Sequence, residues 1–335
     1  MNHQTELRVA VVIPCFRAAD TVLDVIASIG SEVQRIYVVD DACPDRTAER
    51  VRSDCTDPRV EVLEHEENQG VGGAVASGYR AALDEGMDIV VKLDSDGQMD
   101  PALISSLIRP LVLGRADYVK GNRFHRISDV RTMPTVRLFG NAVLSFMTKL
   151  SSGYWQLFDP TNGFTAIHRA ALASLDLDRV AKRYFFESDL LYHLNQVGAV
   201  IVQMPMRAVY ADEVSSLRPG RTILPFLAGH ARNFARRVFY SYFLRSFSAA
   251  SLELLFGALL LLFGGIFGVT RWGLSIAEAE PATAGTVMLA ALPIIVGSQL
   301  LLSWLSFDMA SEPDKPVQIF APGKDIDAPA DPTPR

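Results

Sequence analysis

The sequence has few cysteines and lacks the short motifs of the common nucleotide-binding enzymes. Its three cysteines, Cys15, Cys43 and Cys55, match no paired zinc-ligand spacing. Their number rules out a disulfide scaffold and suits free thiols in a reducing compartment. No Gly-x-Gly-x-x-Gly follows the first apolar run, and no Gly-x-x-x-x-Gly-Lys-Ser/Thr occurs. A nicotinamide-dependent enzyme or a P-loop NTPase is therefore unsupported.

An excess of positive charge is also missing. Lys and Arg total 32 against 38 Asp and Glu, a net charge of -6, which argues against a globally basic nucleic-acid-binding protein. Hydrophobic residues make up 49% and charged residues only 21% of the chain, so it is neither disordered nor fibrous. At roughly 150 residues per domain, the 335 residues predict about two domains.

The first third of the chain alternates short β-branched runs with amphipathic helical segments. This alternation predicts an α/β fold with a mostly parallel sheet. The predicted strands are almost continuously apolar, as strands buried on both faces are, and cover 7–13, 35–40, 60–63, 89–93 and 118–120. Helical periodicity covers 21–33, 44–55, 71–85 and 101–113, where Pro44 and Pro101 suit the first helical turn.

The C-terminal part contains two long stretches without charge, 254–270 and 281–307. At about 1.5 Å per residue, each is long enough to cross a hydrocarbon core of about 30 Å. We therefore predict transmembrane helices over about 252–271 and 284–307, with a kink at Pro293. Two buried core helices are the alternative. The tail over 308–335 is rich in proline and acidic residues, so we expect it to be mostly disordered.

Acidic residues are absent from the segment just before these stretches. Aromatic residues there alternate with Arg218, Arg221, Arg232, Arg236, Arg237 and Arg245. Such a segment could bind nucleic acid or lie on an anionic membrane. The apolar stretches that follow favour the membrane, with the arginines facing lipid headgroups. The positive-inside rule then puts the N-terminal part in the cytoplasm. The predicted organisation is an α/β domain over 1–213, a basic interfacial segment over 214–247, two spans within 248–307 and the tail.

Two acidic residues follow the predicted strand 89–93, in the sequence Asp94-Ser95-Asp96-Gly97-Gln98. Strand alternation predicts that Asp94 and Asp96 point to the same side. In an open parallel sheet, ligands bind beyond the carboxyl ends of the strands, which is where this pair would lie. Two carboxylates on a short polar loop suit Mg²⁺ or Mn²⁺ that is also held by substrate phosphates. The alternative is a solvated turn that caps the next helix.

Two further strand ends are expected to line the same crevice. Asp40 and Asp41 end the second strand, and Pro14 is followed by Cys15 and Phe16 after the first. A carboxylate there can accept hydrogen bonds from a base or a ribose. The glycine-rich sequence at 68–73 either serves a ligand or forms a simple turn.

Taken in chain order, these motifs resemble glycosyltransferase family 2, and within it the dolichol-phosphate mannose synthase-like branch. They extend over about residues 7–220 and comprise Val12-Ile13-Pro14, Val38-Val39-Asp40-Asp41, Asn68-x-Gly70, Asp94-x-Asp96-Gly97-Gln98, Gly121-Asn122-Arg123 and Asp159-Pro160-Thr161-Asn162-Gly163-Phe164. The resemblance implies a Rossmann-like GT-A catalytic domain. It also implies transfer of a hexose from a GDP- or UDP-sugar to a polyprenyl phosphate.

The resemblance further implies roles for individual residues. The family's nucleoside-binding positions match Pro14, Phe16, Val39 and Asp41. Its donor and metal motif matches Asp94, Ser95, Asp96 and Gln98. Within that motif, the resemblance makes Asp96 the principal ligand of Mg²⁺ or Mn²⁺. The arginine that faces the donor matches Arg123, and the acceptor-phosphate positions match Arg137 and Asn141. Because the family's Arg-Gly-Glu-Ser-Lys segment is altered here, Arg218 is the candidate for its arginine. The family's Pro-x-Tyr-Asn-Glu is altered too, at residues 16–18, which leaves the base open.

The chemistry of such a transfer is simple. A phosphate monoester is mostly dianionic near neutral pH, with a second pKa of about 6, so it needs positioning rather than a general base. Arginines such as Arg137 and Arg218 can hold its oxygens, and in-line displacement inverts the anomeric carbon without a covalent intermediate. Glu187 and Asp189 suit either the acceptor or a helix start, and Lys120 is expected to be solvated.

Two other functions remain open. One is a processive polysaccharide synthase of the same superfamily, although no Gln-x-x-Arg-Trp motif occurs. The other is a catalytically silent scaffold that binds a nucleotide sugar at a membrane. The partners that we predict are a nucleotide sugar, a polyprenyl phosphate and a membrane of the bacterial inner-membrane type. No nucleic acid is expected, and homo-oligomerisation is left open.

Overall fold

The computed structural model describes residues 7–124, 135–206 and 219–320, with side chains over 7–124, 140–206 and 223–320. The chain divides into two compact units. The first comprises Met1–Phe146, Leu157–Phe226 and Pro313–Arg335, and the second comprises Met147–Gln156 and Leu227–Glu312. The chain thus leaves the first unit twice, for Met147–Gln156 and for Leu227–Glu312, and returns to it each time.

The first unit is built on a seven-stranded sheet with the order β3-β2-β1-β4-β6-β5-β7. Strand β6 is antiparallel to both neighbours, and the other neighbouring pairs are parallel. The strands are β1 (Val9–Cys15), β2 (Arg35–Asp40), β3 (Val60–Glu64), β4 (Ile89–Lys92), β5 (Tyr118–Asn122), β6 (Thr165–His168) and β7 (Ile201–Pro205). The predicted α/β fold with a mostly parallel sheet is confirmed.

Burial explains why these strands are so apolar. Every residue of β1, β4 and β5 is buried, whereas the edge strands β3 and β7 are only partly buried. Central parallel strands are covered on both faces, so their side chains are excluded from water on both sides. The helices α1 to α4 are Val22–Ala27, Thr47–Asp54, Val71–Asp84 and Ile104–Val112, and α6 and α7 are Arg169–Ala173 and Phe186–Gln196.

Strand β1 extends further than predicted, through Pro14 to Cys15. Pro14 pairs with Val39 of β2, whereas β4 pairs with β1 only as far as Val12. Proline has no N–H to donate, and strands tolerate it where one side is unpaired. The continued pairing with β2 therefore carries the strand past the position where the sequence predicted its end.

Two predicted helices are shorter than their periodicity indicated. Helix α1 ends at Ala27, and the guanidinium of Arg59 donates to carbonyl oxygens beyond it, those of Ile29 (3.0 Å), Gly30 (2.5 Å) and Val33 (3.0 Å). Helix α2 begins at Thr47, so Pro44 lies before it rather than in its first turn. Pro101 does occupy a first turn, that of a 3-10 helix (Pro101–Leu103) before α4.

The Asp40 carboxylate accounts for the late start of α2. It accepts hydrogen bonds from the backbone N–H of Cys43 at 2.7 Å and of Ala48 at 2.8 Å. Arg46, just before the helix, has a left-handed backbone with φ 59°. These contacts hold residues 41–46 as a loop and leave Asp40 occupied within the fold.

Two long helices dominate the second unit, α9 (Ala249–Glu278) and α10 (Ala284–Ala310). They pack closely at glycines, since a Cβ on Gly297 would lie 2.8 Å from the backbone nitrogen of Leu261. Only 11% of the most apolar stretch of α9 and 6% of that of α10 is buried, whereas a core helix of a soluble domain is mostly buried. Both are long and apolar enough to cross a membrane. Pro293 lies within α10 and does not end it.

Helices α5 (Thr135–Ser152) and α8 (Pro219–Phe239) each continue from the first unit into the second. A π-helical turn, Tyr240–Arg245, follows α8. Arg232, Arg236 and Arg245 of this basic segment are exposed, as the sequence predicted. Arg237, by contrast, is only 3% exposed.

Arg237 therefore does not face lipid headgroups. Its guanidinium donates to both oxygens of Asp308, at 2.6 and 2.9 Å, and to the carbonyl oxygen of Leu150 at 2.9 Å. Asp308 also accepts from the Tyr242 hydroxyl at 2.7 Å and from Trp155 Nε1 at 2.9 Å. A buried charge is stable only with such partners, so the prediction for this arginine was wrong.

The expectation of a disordered tail is wrong over residues 308–320. Asp308 lies inside α10, and residues Val317–Phe320 form a 3-10 helix in the first unit. Asp117, which is fully buried, accepts hydrogen bonds from the backbone N–H groups of Val317 (2.7 Å) and Gln318 (3.0 Å). These hydrogen bonds hold Val317–Phe320 in place, although the composition of this segment favours disorder. Residues 321–335 lie outside the described residues.

Candidate active site

The loop that carries Asp94 and Asp96 follows β4 at the carboxyl edge of the parallel strands. Strand β4 ends at Lys92, and residues 95 and 96 form a turn, so the alternation used to orient the two carboxylates does not apply. Instead, the Asp96 Oδ1 accepts from the Gln98 backbone N–H at 2.9 Å. Thr21 Oγ1 donates to the Ser95 carbonyl oxygen at 2.6 Å and links the loop to the start of α1.

Lys92 lies beneath this loop and is only 2% exposed. Its ammonium group donates to Asp94 Oδ1 at 2.6 Å, to Glu187 Oε1 at 3.3 Å and to the Gly163 carbonyl oxygen at 3.3 Å. Burial alone would lower the pKa of Lys92, but the carboxylates of Asp94 and Glu187 outweigh it and raise that pKa above its ordinary value. Lys92 is therefore a buried cation with two anionic partners.

Gly163 is where the chain passes closest to this ion pair. A Cβ at this position would contact Asp94 Oδ2 and would lie 2.5 Å from Lys92 Nζ. No side chain fits there without displacing one of the two charged groups. The glycine of the sequence Asp159-Pro160-Thr161-Asn162-Gly163-Phe164 thus makes room for the Asp94 carboxylate.

Lys120 is a second buried lysine, on β5, and is only 1% exposed. The expectation that it is solvated was wrong. Its ammonium donates to the Asn162 carbonyl oxygen, and burial lowers its pKa to about 8. Both lysines lie in apolar strands, yet only the ammonium of Lys92 carries hydrogen bonds to carboxylates in the part of the chain that the structure describes.

Arg123 follows β5 and is held by a buried carboxylate. Asp159 Oδ2 accepts from its Nε at 2.8 Å and from its backbone N–H at 3.2 Å, and Asp159 Oδ1 accepts from its Nη2 at 3.0 Å. The Thr161 hydroxyl lies 3.2 Å from the same Nη2. This two-point clamp fixes the guanidinium at the carboxyl end of β5. The motif that begins at Asp159 thus orients Arg123.

Asp41 directly follows β2 and makes hydrogen bonds within the protein, and its role in nucleoside binding stays a prediction. It is 2% exposed, and its carboxylate accepts from the backbone N–H groups of Gln69 (2.8 Å) and Gly70 (2.7 Å). His65 Nδ1 lies 2.8 Å from Asp41 Oδ1, and Ser77 Oγ lies 2.8 Å from His65 Nε2. The carboxylate holds the turn before α3, so most of its lone pairs are used inside the protein.

The remaining nucleoside-binding candidates lie at two neighbouring strands. Pro14 and Val39 are buried and are register partners between β1 and β2. Phe16 is 51% exposed just beyond β1, where Arg17 has a left-handed φ of 59°. Together with Ser95, Phe16 is thus accessible to a ligand, whereas Pro14 and Val39 shape the strand ends.

The acceptor-phosphate candidates are only partly described. Asn141 is half-buried on α5. The side chain of Arg137 and the whole of Arg218 lie outside the described residues. Their predicted roles at an acceptor phosphate stay predictions.

The donor set of the Asp94–Gln98 loop fits a hard divalent cation. Asp94 and Asp96 are both half-buried and supply carboxylate oxygens from one short loop. No group of three or more His, Cys, Asp or Glu suitable for a metal occurs in the part of the chain that the structure describes. Mg²⁺ and Mn²⁺ sites with one or two carboxylates, completed by substrate phosphates, need no third protein ligand.

Comparison with known proteins identifies the family. The profile of glycosyl transferase family 2 matches residues 10–176. The undecaprenyl-phosphate mannosyltransferase of Micrococcus luteus is 30% identical over 207 residues, which cover 61% of this chain and 84% of that relative. The chain belongs to glycosyltransferase family 2. The resemblance seen in its motifs is thereby confirmed.

A second relative and a solved structure extend the comparison. The UDP-N-acetylglucosamine–dolichyl-phosphate N-acetylglucosaminyltransferase of Methanococcus voltae is 34% identical over 154 residues, 46% of this chain and 61% of that protein. The chain thus spans about three fifths of that relative. Glucosyl-3-phosphoglycerate synthase from Mycobacterium tuberculosis, crystallised with Mn²⁺, UDP and phosphoglyceric acid, shares 22% identity and a TM-score of 0.51. That alignment covers 69% of this chain and 78% of the synthase, and it supports the GT-A-like fold alone.

The sequence analysis did not identify Lys92, the buried lysine whose ammonium group contacts Asp94 and Glu187. The signal was present, because a lysine interrupts the apolar run Ile89-Val90-Val91-Lys92-Leu93 of a strand predicted to be buried on both faces. A buried lysine requires an anionic partner nearby. Asp159 was also absent from the predicted site, although it fixes Arg123.

Proposed function

We propose that this protein transfers a hexose from a nucleotide sugar to the phosphate of a membrane-embedded polyprenyl phosphate, with inversion at the anomeric carbon. The observation that carries the proposal is the Asp94–Gln98 loop on a GT-A-like sheet, in a chain that also has two helices able to span a membrane. The names of the two family relatives agree with it, since each acts on a sugar and on the phosphate of a polyprenol.

The donor binds at the carboxyl ends of β1, β2 and β4 in this proposal. Phe16 and Ser95 offer the accessible contacts to the nucleoside, and Asp94 and Asp96 would hold Mg²⁺ or Mn²⁺ together with the diphosphate. The bound cation would neutralise charge on the departing nucleoside diphosphate. Arg123, aligned by Asp159, presents a fixed positive charge to the donor.

The acceptor supplies its own nucleophile. A phosphate monoester with a second pKa of about 6 is already largely dianionic at neutral pH, so no side chain has to remove a proton. The protein then has to hold that phosphate in line with the anomeric carbon and the leaving diphosphate. We assign this positioning to Arg137, Asn141 and Arg218, and no covalent sugar–enzyme intermediate is needed.

Membrane attachment brings the chain to its lipid substrate. We propose that α9 and α10 span the membrane of a bacterial-type cell, with residues 1–213 as the catalytic domain on the cytoplasmic side. The exposed Arg232, Arg236 and Arg245 support attraction to anionic headgroups near the start of α9. The buried Arg237 contributes to the fold of the second unit instead.

Release of nucleoside diphosphate by the purified full-length protein in detergent tests this function. UDP- and GDP-sugars are offered with Mn²⁺ or Mg²⁺, each with and without a short-chain polyprenyl phosphate. We expect release with one nucleotide, and only when the lipid phosphate is present. Asp96→Asn should lower the rate by about 100-fold or more, because it removes a carboxylate that would hold the cation, and the cation would neutralise the leaving charge.

The matched control is Asp178→Asn, which removes an 87% exposed carboxylate paired with Arg80 at the surface. It should turn over like the wild type. Nucleotide binding without release under any pairing of donor, metal and acceptor would contradict the proposal and favour a non-catalytic scaffold.

A further inference from the structure

We propose that Lys92 is an internal counter-cation of the donor site, a positioning residue that joins Asp94 to Glu187 and stabilises their carboxylates before a divalent cation binds. The inference rests on the proposed function in one respect, namely that the Asp94–Gln98 loop receives a metal and a diphosphate. It adds a residue and a role that the family motifs do not include.

The hydrogen bonds of Lys92 are complete. An ammonium group has three N–H donors. Here they face one acceptor each from Asp94, Glu187 and Gly163. Since the side chain is 2% exposed, water does not compete for these donors. The ammonium is therefore held in one position and in turn fixes Oδ1 of Asp94.

The two carboxylates come from separate parts of the fold. Asp94 follows β4, whereas Glu187 lies in the first turn of α7. Both reach the same ammonium nitrogen, so without that cation two negative charges would face each other in a poorly hydrated position. Repulsion between charges is strong where the effective dielectric constant is low, and salt screens buried pairs only weakly.

The net charge of this group of side chains suits a divalent cation that binds reversibly. Asp94 and Glu187 together carry two negative charges, and Lys92 offsets one of them permanently. A divalent cation on the Asp94–Gln98 loop would offset the other. The counter-cation is thus most important when the metal is absent, which separates this role from that of an ordinary buried ion pair.

Lys120 provides a matched comparison within the same sheet. It is also a buried lysine, in the middle of β5, but its ammonium donates to the backbone carbonyl of Asn162. Removing Lys120 therefore deletes a buried ammonium without unpairing Asp94. Any effect that depends on the metal should appear at Lys92 and not at Lys120.

The test measures thermal unfolding of the full-length protein in detergent, with EDTA and then with Mn²⁺ alone. In EDTA, Lys92→Met should unfold roughly 5–10 °C below the wild type, because it leaves two partly buried carboxylates without the cation that they share. Mn²⁺ should recover at least half of that difference. Lys92→Arg, which keeps the charge, should lie closer to the wild type in EDTA. Lys120→Met should shift the unfolding temperature by an amount that Mn²⁺ does not change.

The double variant Lys92→Met, Glu187→Gln isolates the electrostatic cause. Removing one of the two unpaired charges should restore part of the lost stability in EDTA, and it should restore soluble protein if Lys92→Met alone fails to fold. A double variant no more stable than Lys92→Met would overturn the proposal. A Lys92→Met deficit that is equal in EDTA and Mn²⁺ would also overturn it, because a merely structural ion pair predicts that equality.

These stability measurements need neither donor nor acceptor. The expected Mn²⁺ dependence in a protein that releases no nucleoside diphosphate would refute the proposed function and retain the role of Lys92. Normal lipid-dependent release without that Mn²⁺ dependence would refute only the role of Lys92.

Discussion

The replacement Gly163→Ala tests how closely the Asp94 carboxylate must be placed. The new Cβ would contact Asp94 Oδ2 and would lie 2.5 Å from Lys92 Nζ, whereas ordinary van der Waals contact begins at 3.4 Å. The two side chains must therefore retreat by about 1 Å. A misplacement of about 1 Å in a reacting constellation can lower kcat on the order of 100-fold.

The effect on folding should be much smaller than the effect on turnover. Adding one methyl group to a packed position costs about 1–3 kcal/mol. We therefore expect a protein that is folded and still binds the nucleotide, but whose kcat falls about 100-fold. The assay is steady-state release of nucleoside diphosphate, with thermal unfolding as the check on integrity.

Gly273→Ala is the matched control, because a Cβ on Gly273 meets nothing within 4 Å. It should leave kcat unchanged. Wild-type kcat in Gly163→Ala would refute the reasoning, since it would mean that Asp94 can move without affecting the reaction.

Three further predictions concern stability. Arg237→Met should lower the free energy of unfolding by about 3–5 kcal/mol, measured by denaturant titration, because it leaves the Asp308 carboxylate buried with one charged partner fewer; an effect below 1 kcal/mol would contradict the buried pair. Asp117→Ala should release the segment around Gln318, seen as faster amide hydrogen exchange there; unchanged exchange would contradict the capture. Because burial lowers the pKa of Lys120 from its ordinary 10.5 to about 8, the unfolded chain binds more protons between these values and stability should rise with pH across them. Lys120→Met should remove that part of the rise, and an unchanged pH profile would refute it.

The parallel core could be predicted because burial acts on each strand locally. Strands buried on both faces must be apolar along their length, so β1, β2 and β4 stand out in the sequence. Strands β6 and β7 were missed. Strand β6 has only four residues and is antiparallel to its neighbours, and β7 is a partly buried edge strand, so neither carries a long apolar run.

The charged contacts could not be predicted from the sequence because they join distant residues. Arg237 and Asp308 lie 71 residues apart, and Lys92 and Glu187 lie 95 apart. The composition around Arg237 is typical of a membrane-facing segment, yet Arg237 is buried because it pairs with Asp308. Similarly, Asp41 belongs to a family motif, but its carboxylate accepts hydrogen bonds from the backbone N–H groups of Gln69 and Gly70, in the turn before α3.

The Asp94–Gln98 loop follows β4 at the carboxyl edge of the sheet, as the sequence predicted, but the two carboxylates are not oriented by strand alternation. Its position after a buried strand brought Asp94 and Asp96 to the carboxyl edge of the sheet. Their orientation comes from Lys92 and from the turn at residues 95 and 96 rather than from strand alternation. Whether these carboxylates bind a metal in the reaction stays a prediction.

Nucleoside diphosphate release by the full-length protein, with and without polyprenyl phosphate, tests the central claim most directly. The account predicts release with a nucleotide sugar and a divalent cation, dependent on the lipid phosphate and lost in Asp96→Asn. Release at the same rate without the lipid phosphate, or undiminished release in Asp96→Asn, would contradict it.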